Sequence, residues 1–233
     1  MTYSTTIPTR AARVAAPWTR SIRVRLACGI VAGPLYLVVS YAQALTRPGF
    51  DLTRNAFSYL SLGSLGGLQV ANFVACGLLF VVSATGIRRV LRVGPGARCA
   101  PWLIATMGGA MIAGGVFVID PAFGYPEGAP VGMPQALSWH GILHAIAFAV
   151  AFLSWIVAAF VFAGRFSALK RRGWAAYSTA VGLVLLAPIA TFVAPPGAAV
   201  IYAAATFGWT WTSAVTAHLL RETPNPRTTS GSD

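Results

Sequence analysis

Residues 136–163 read ALSWHGILHAIAFAVAFLSWIVAAFVFA, a stretch with no Asp, Glu, Lys or Arg. At about 1.5 Å per helical residue it is longer than the roughly 30 Å hydrocarbon core of a bilayer. Five runs of the same character surround it, at 26–45, 68–87, 100–119, 174–193 and 198–220, and none contains a formally charged residue. Spanning strands need only about 9 to 11 residues, so continuous runs of this length predict helices. The fold expected is all-α, an integral membrane bundle of six transmembrane helices. Pro34 and Pro188, inside the first and fifth runs, are expected to kink their helices.

The composition agrees. Of 233 residues 56% are hydrophobic and 9% charged, against about 25% charged in soluble domains. The mean hydropathy is +0.68. A soluble domain, a disordered chain and, with three cysteines, a disulfide scaffold are all excluded. The expected organisation is a basic disordered tail (1–25), a transmembrane domain (26–220) and a second disordered tail (221–233).

Charge gives an orientation. The net charge is +12, and of the 17 Lys and Arg only Arg47 and Arg54 fall in the connections after the first, third and fifth runs. The others flank the opposite ends, in the first tail, in 88–98, in 165–172 and at Arg221 and Arg227. The positive-inside rule then places both termini in the cytoplasm of a cell whose plasma membrane the chain crosses repeatedly. Trp102 and Trp174 are expected at the inner interface, and Trp139 and Tyr202 at the outer one. The arginines form no stripe that follows a phosphate backbone, so nucleic acid is not an expected partner. Membrane lipids are, and the inner clusters attract anionic ones. Gly29 and Gly33 form a small-residue face suited to a helix partner or a second copy of the chain. An alternative reading makes the first run a cleaved signal sequence ending near Ala42-Gln43-Ala44.

The outer connections carry the polar chemistry. Asp51 is positioned to cap a short helix through Tyr59, under which Asp51, Arg54, Asn55 and Ser58 would contribute to a binding site. Asp120-Pro121 ends the third run, where a carboxylate is poorly placed beside a helix C-terminus. Arg54 is its expected cationic partner. His140 and His144, four apart on one helix face, point into the bundle if Ala147 and Ala151 mark the packing side. Two chemistries fit that pair: neutral imidazoles bonded to backbone or to Ser138, or a zinc site formed with Asp120 and perhaps Asp51. At the expected depths Asp120 reaches His140 more readily than His144. His218 is read as an interfacial side chain. No cofactor is expected on the first reading; zinc is the cofactor on the second.

The series Asn55-x-x-Ser58-x-Leu60-x-x-Gly63, then Phe117-x-x-Asp120-Pro121, then Trp139-His140-Gly141 resembles the uncharacterised multi-span bacterial membrane family called domain of unknown function 998. The resemblance spans about residues 26–220 and implies a compact bundle in the cytoplasmic membrane, with no assigned substrate or catalytic residue. A weaker resemblance, to intramembrane metal hydrolases of the alkaline-ceramidase and adiponectin-receptor type, rests on Asp, Ser and the His-x-x-x-His spacing. Those proteins usually have seven spans and carry the pair in the last, whereas here it lies in the fourth.

Three functional classes stay open. The first is a structural, regulatory or lipid- or partner-binding membrane protein with a polar pocket at its outer face. A hydrolase at the outer mouth is the second, with His140 and Asp120 or Asp51 as acid and base. The third is an uncoupled transporter of an apolar or amphipathic molecule, since no carboxylate lies within a span to couple ions.

Overall fold

The computed structural model describes residues 10–190 and 198–223. Residues 1–9, 191–197 and 224–233 lie outside the described part, and with them most of the C-terminal tail and the end of the fifth expected run. The helices are α1 (Arg10–Thr46), α2 (Gly66–Val90), α3 (Cys99–Val116), α4 (Trp139–Ala168), α5 (Arg172–Ala190) and α6 (Ala199–Glu222), with a 3-10 turn at Phe57–Ser61. No strand forms among the described residues; one isolated bridge joins Ala122 to Tyr125. Four helical segments are long and apolar enough to cross a membrane: Arg20–Thr46, Gly66–Val90, Cys99–Val116 and Trp139–Ala168.

Helix boundaries follow local chemistry. Ser138 caps α4 by accepting the Gly141 N–H, the usual device for an orphan N-terminal donor. Pro101 sits in the first turn of α3, where a missing N–H costs nothing. Pro188 lies inside α5 and Pro34 inside α1, and both helices continue through them. The main departure from expectation is at the front. Helix α1 begins at Arg10, so residues 10–25 are helical where a disordered tail was expected.

The helices are arranged as a ring in which each packs on the next in sequence and α6 returns to α1. Antiparallel neighbours meet where side chains are small. The Gly29 position on α1 faces Ser83 of α2 and Thr216 of α6, and Gly33 faces Trp209 and Ser213. Gly77 and Gly108 bring α2 and α3 into backbone contact, and Gly208 of α6 receives the ring of Trp155 from α4. The expected packing role of Gly29 and Gly33 is thus filled within the chain.

Polarity is inverted relative to a soluble bundle. On α4, Ile142, Ile146, Val150, Leu153, Val157 and Phe160 are exposed on one face, while Gly141, His144, Ala147, Ser154 and Ala158 are buried on the other. Ser40, Gln43, Gln69, Asn72, Ser178, Thr212 and Thr216 are likewise buried. Water-soluble monomers rarely expose continuous apolar faces of this size, so lipid is the solvent this surface suits. Trp102 and Trp139 are exposed as interface residues should be, but Tyr202 is buried. Its hydroxyl donates to the Asn55 carbonyl oxygen inside the bundle, which removes it from the expected outer belt.

Candidate functional site

The two long connections, 47–65 and 117–138, lie at one end of the ring, here called the mouth. Asp120 is buried there. Its Oδ2 accepts the Ser138 N–H at 2.8 Å and its Oδ1 accepts the Ser138 hydroxyl at 2.6 Å. The same hydroxyl caps α4, so one serine joins the carboxylate to a helix N-terminus. Burial pushes the Asp120 carboxyl up, but the Ser138 hydroxyl and N–H, with His140 and His144 nearby, carry it below its ordinary value. The expected partner, Arg54, is elsewhere: its Nε pairs with Asp51 at 3.5 Å on the exposed side of the loop. The correction has a physical basis, because two charge-assisted hydrogen bonds from one cap residue replace a flexible cation.

Gly141 explains itself against this carboxylate. A Cβ at that position would lie 2.1 Å from Asp120 Oδ2, closer than any carbon can approach. Tyr59, under the same charge, has its phenol pushed up to about 12, first by burial and then by Asp120.

Both histidines face α3. His144 Nδ1 is 2.9 Å from the Gly114 carbonyl oxygen and 2.8 Å from that of Phe117. His140 Nδ1 is 2.7 Å from the Val118 carbonyl oxygen and 3.8 Å from Asp120 Oδ1. A carbonyl only accepts, so each Nδ1 carries a hydrogen. The pair therefore occupies carbonyls that the end of α3 leaves without helical partners. Asp120 reaches His140 rather than His144, as the depth reading anticipates. Among the described residues, no group of three or more His, Cys, Asp or Glu is placed to hold a metal ion.

The connection 47–65 is not the expected helix. Asp51 Oδ1 accepts the Thr53 N–H and hydroxyl, and the Asp51 carbonyl accepts the N–H groups of Arg54 and Asn55. That local turn spends Asp51 on its own loop, so the helical turn starts only at Phe57. The Asp51 carboxyl is held below its ordinary value, chiefly by the Thr53 hydroxyl and N–H. Asn55 is fully buried. Its Oδ1 accepts the Asp51 N–H, its Nδ2 donates to the Phe123 carbonyl at 3.4 Å, and its own carbonyl receives Tyr202. One asparagine thus ties together both connections and α6. Asp51 and Arg54 pair with each other on the exposed side of the loop, Asn55 is spent on structure, and Ser58 is half-buried at the edge of a cavity.

The residue that sequence reading passed over is Arg47, treated there as an ordinary loop cation. It is 9% exposed. Its Nη1 donates to the Leu60 and Leu62 carbonyls at 2.7 and 3.1 Å, and its Nη2 to the Leu65 carbonyl at 2.5 Å and to Gln43 Oε1. Gln43 Nε2 continues to Gln69 Oε1 at 2.7 Å, which also meets Ser40 and Asn72. The spacing Ser40, Gln43, Arg47 at three and four residues is the signal that could have found it, since it aligns three polar groups on one face of α1.

Below the turn Phe57–Ser61 lies a cavity of about 80 Å³, lined mainly by rings and thioethers from Tyr36, Phe73, Met107, Phe152, Tyr202 and Trp209. It reaches five of the six helices and the turn itself. Trp209 is 5% exposed, and its Nε1–H has no acceptor among the described residues.

Neither a curated protein nor a solved structure matches the chain. A family profile does, over residues 30–218, which takes in all of α2 to α5, both mouth connections and most of α1 and α6. The chain therefore belongs to the family described as protein of unknown function DUF998.

Proposed function

We propose that the protein is a six-span plasma-membrane protein with both termini in the cytoplasm, and that it binds a lipid-like molecule, part of which enters the cavity beneath its outer connection. The observation that carries this reading is the Trp209 indole. A buried N–H without an acceptor is costly, and here it belongs to a side chain that lines an aromatic cavity. An apolar molecule carrying a carbonyl-type acceptor suits both properties. The conspicuous polar groups are otherwise engaged: Arg47 with carbonyls, Asp120 with Ser138, the histidines with the end of α3. That makes the mouth a framework around a binding cavity rather than a set of poised catalytic groups.

The test is to fill the cavity. Ala151→Trp should abolish a lipid-class molecule that co-purifies stoichiometrically with the wild type in native mass spectrometry, with thermal unfolding shifted only modestly. Retention of the same molecule by the filled variant would defeat the reading. Uncoupled passage of an apolar molecule would use the same cavity, and a proteoliposome flux blocked by Ala151→Trp is its signature.

Zinc-dependent hydrolysis is the second reading, favoured by one observation. Both imidazoles present Nδ1–H to carbonyls, the orientation in which Nε2 serves as a metal ligand. His140, His144 and Asp120 would hold the ion. Stoichiometric zinc in the purified protein, lost in His140→Ala and in His144→Ala, would place this reading first.

A further inference from the structure

The end of the ring opposite the mouth carries a second cavity, an open surface hollow of about 480 Å³ between the end of α2 and the start of α3. Its walls are Arg88, Arg98, Cys99, Trp102, Leu103 and Thr106. On α3 these residues recur at three- and four-residue steps, so they share one helix face. Arg88 places its guanidinium carbon 5.7 Å from the Trp102 ring centroid, within cation–π range. Trp102 is 62% exposed, at a position where an indole meets lipid headgroups.

What distinguishes this cavity is unmatched charge. Among the described residues the arginine–carboxylate pairs are Arg54 with Asp51 and Arg171 with Glu222, and neither touches it. Arg88 and Arg98 thus present two positive groups to one space without an acidic neighbour within ion-pair distance. The space is also held in shape. Arg165 of α4 donates to the Val93 and Pro95 carbonyls at 3.0 Å each, which fixes the α2–α3 connection. The turn through Gly96, at φ 74°, seats that connection against Val161. Beyond Trp102 the exposed line continues through Thr106 and Gly109 to Val116, a shallow apolar track along α3 toward the bilayer centre.

We propose that this cavity is a binding site for one anionic phospholipid. Its phosphate lies between the Arg88 and Arg98 guanidiniums, its glycerol against Trp102, and an acyl chain follows Thr106 and Gly109. Charge complementarity selects the headgroup. The apolar track selects a lipid over free phosphate. The site is independent of the mouth cavity and of whatever occupies it.

Native mass spectrometry of the full chain in detergent, with added phosphatidylglycerol or phosphatidylcholine, tests this. The expected result is selective retention of phosphatidylglycerol, reduced about tenfold in the double variant Arg88→Gln with Arg98→Gln. Arg92→Gln, outside the cavity, should retain it as the wild type does. Should the double variant fail to fold, Trp102→Ala is expected to weaken retention and Trp102→Phe to preserve it. Equal retention of phosphatidylcholine, an equal loss in Arg92→Gln, no loss in the cavity variants, or displacement by millimolar inorganic phosphate would each overturn the proposal.

Discussion

The mouth holds two buried polar centres built on opposite principles. Between α1 and α2, Arg47 carries a permanent charge and is surrounded by neutral acceptors: three backbone carbonyls and the Gln43–Gln69 amides. Between α3 and α4, the Asp120 carboxylate is held by Ser138 beside His140 and His144, whose rings are turned to carbonyls at the end of α3. The comparison teaches that burial of charge at a membrane interface can be met either by many fixed dipoles or by groups able to adjust their protonation. The first centre should be indifferent to pH and intolerant of substitution. The second should respond to acid through Asp120 and lose less on substitution.

Arg47→Met gives the widest separation. It leaves the Leu60, Leu62 and Leu65 carbonyls without their donor, and the expected loss is about 3 kcal/mol or more. Thermal unfolding in detergent and protease sensitivity of 47–65 measure it. A loss as small as that of an exposed arginine would remove the distinction between the centres. Gly141→Ala comes next, at about 2 kcal/mol, because its Cβ must displace the Asp120 carboxylate and disturb the Ser138 cap.

Asp120→Asn sharpens the pH half of the comparison, with a loss of about 1 to 2 kcal/mol at neutral pH. The folded Asp120 carboxyl lies below its ordinary value. Its stabilisation is therefore complete well above the unfolded value of about 3.9, and is lost as pH falls through the folded one. Melting curves of the wild type should fall through that acid range, and Asp120→Asn should lack this component, while the Arg47 network contributes none. His140→Ala, at a half-exposed position with one carbonyl contact, should cost less than about 1 kcal/mol. A larger cost in the same assay would mean that this imidazole does more than occupy Val118.

The architecture was legible where the signal is repeated along the chain. Long uncharged runs predict helices because each must satisfy its own backbone in lipid, and the structure places a helix within every one, α3 and α4 each falling three residues short at the mouth end. Gly29 and Gly33 announced close packing, and the His-x-x-x-His spacing announced two imidazoles turned toward a neighbouring helix. Arg10–Arg25 was misread because charge density alone says nothing of helix propensity, and arginine favours helices well. Arg47 was missed although its spacing from Ser40 and Gln43 was legible, because most of the carbonyls it serves lie up to 18 residues further along, in the loop. The pairing of Asp120 with Ser138 was open to view as a cap residue before an apolar run, yet charge complementarity drew attention to Arg54 instead. Tyr202 failed as a belt residue for a related reason, since its acceptor, the Asn55 carbonyl, belongs to a distant loop.

The return of α6 to α1 has a bearing on how the chain is made. Arg23 donates to the Leu220 and Thr223 carbonyls, contacts separated by 197 and 200 positions. During synthesis the first hairpin can zip together early through Ser83 and the glycine it faces. The other flank of that same helix stays bare until α6 has been made. Until then the growing bundle is an open crescent, and whatever shields its unfinished seam must let go as α6 docks.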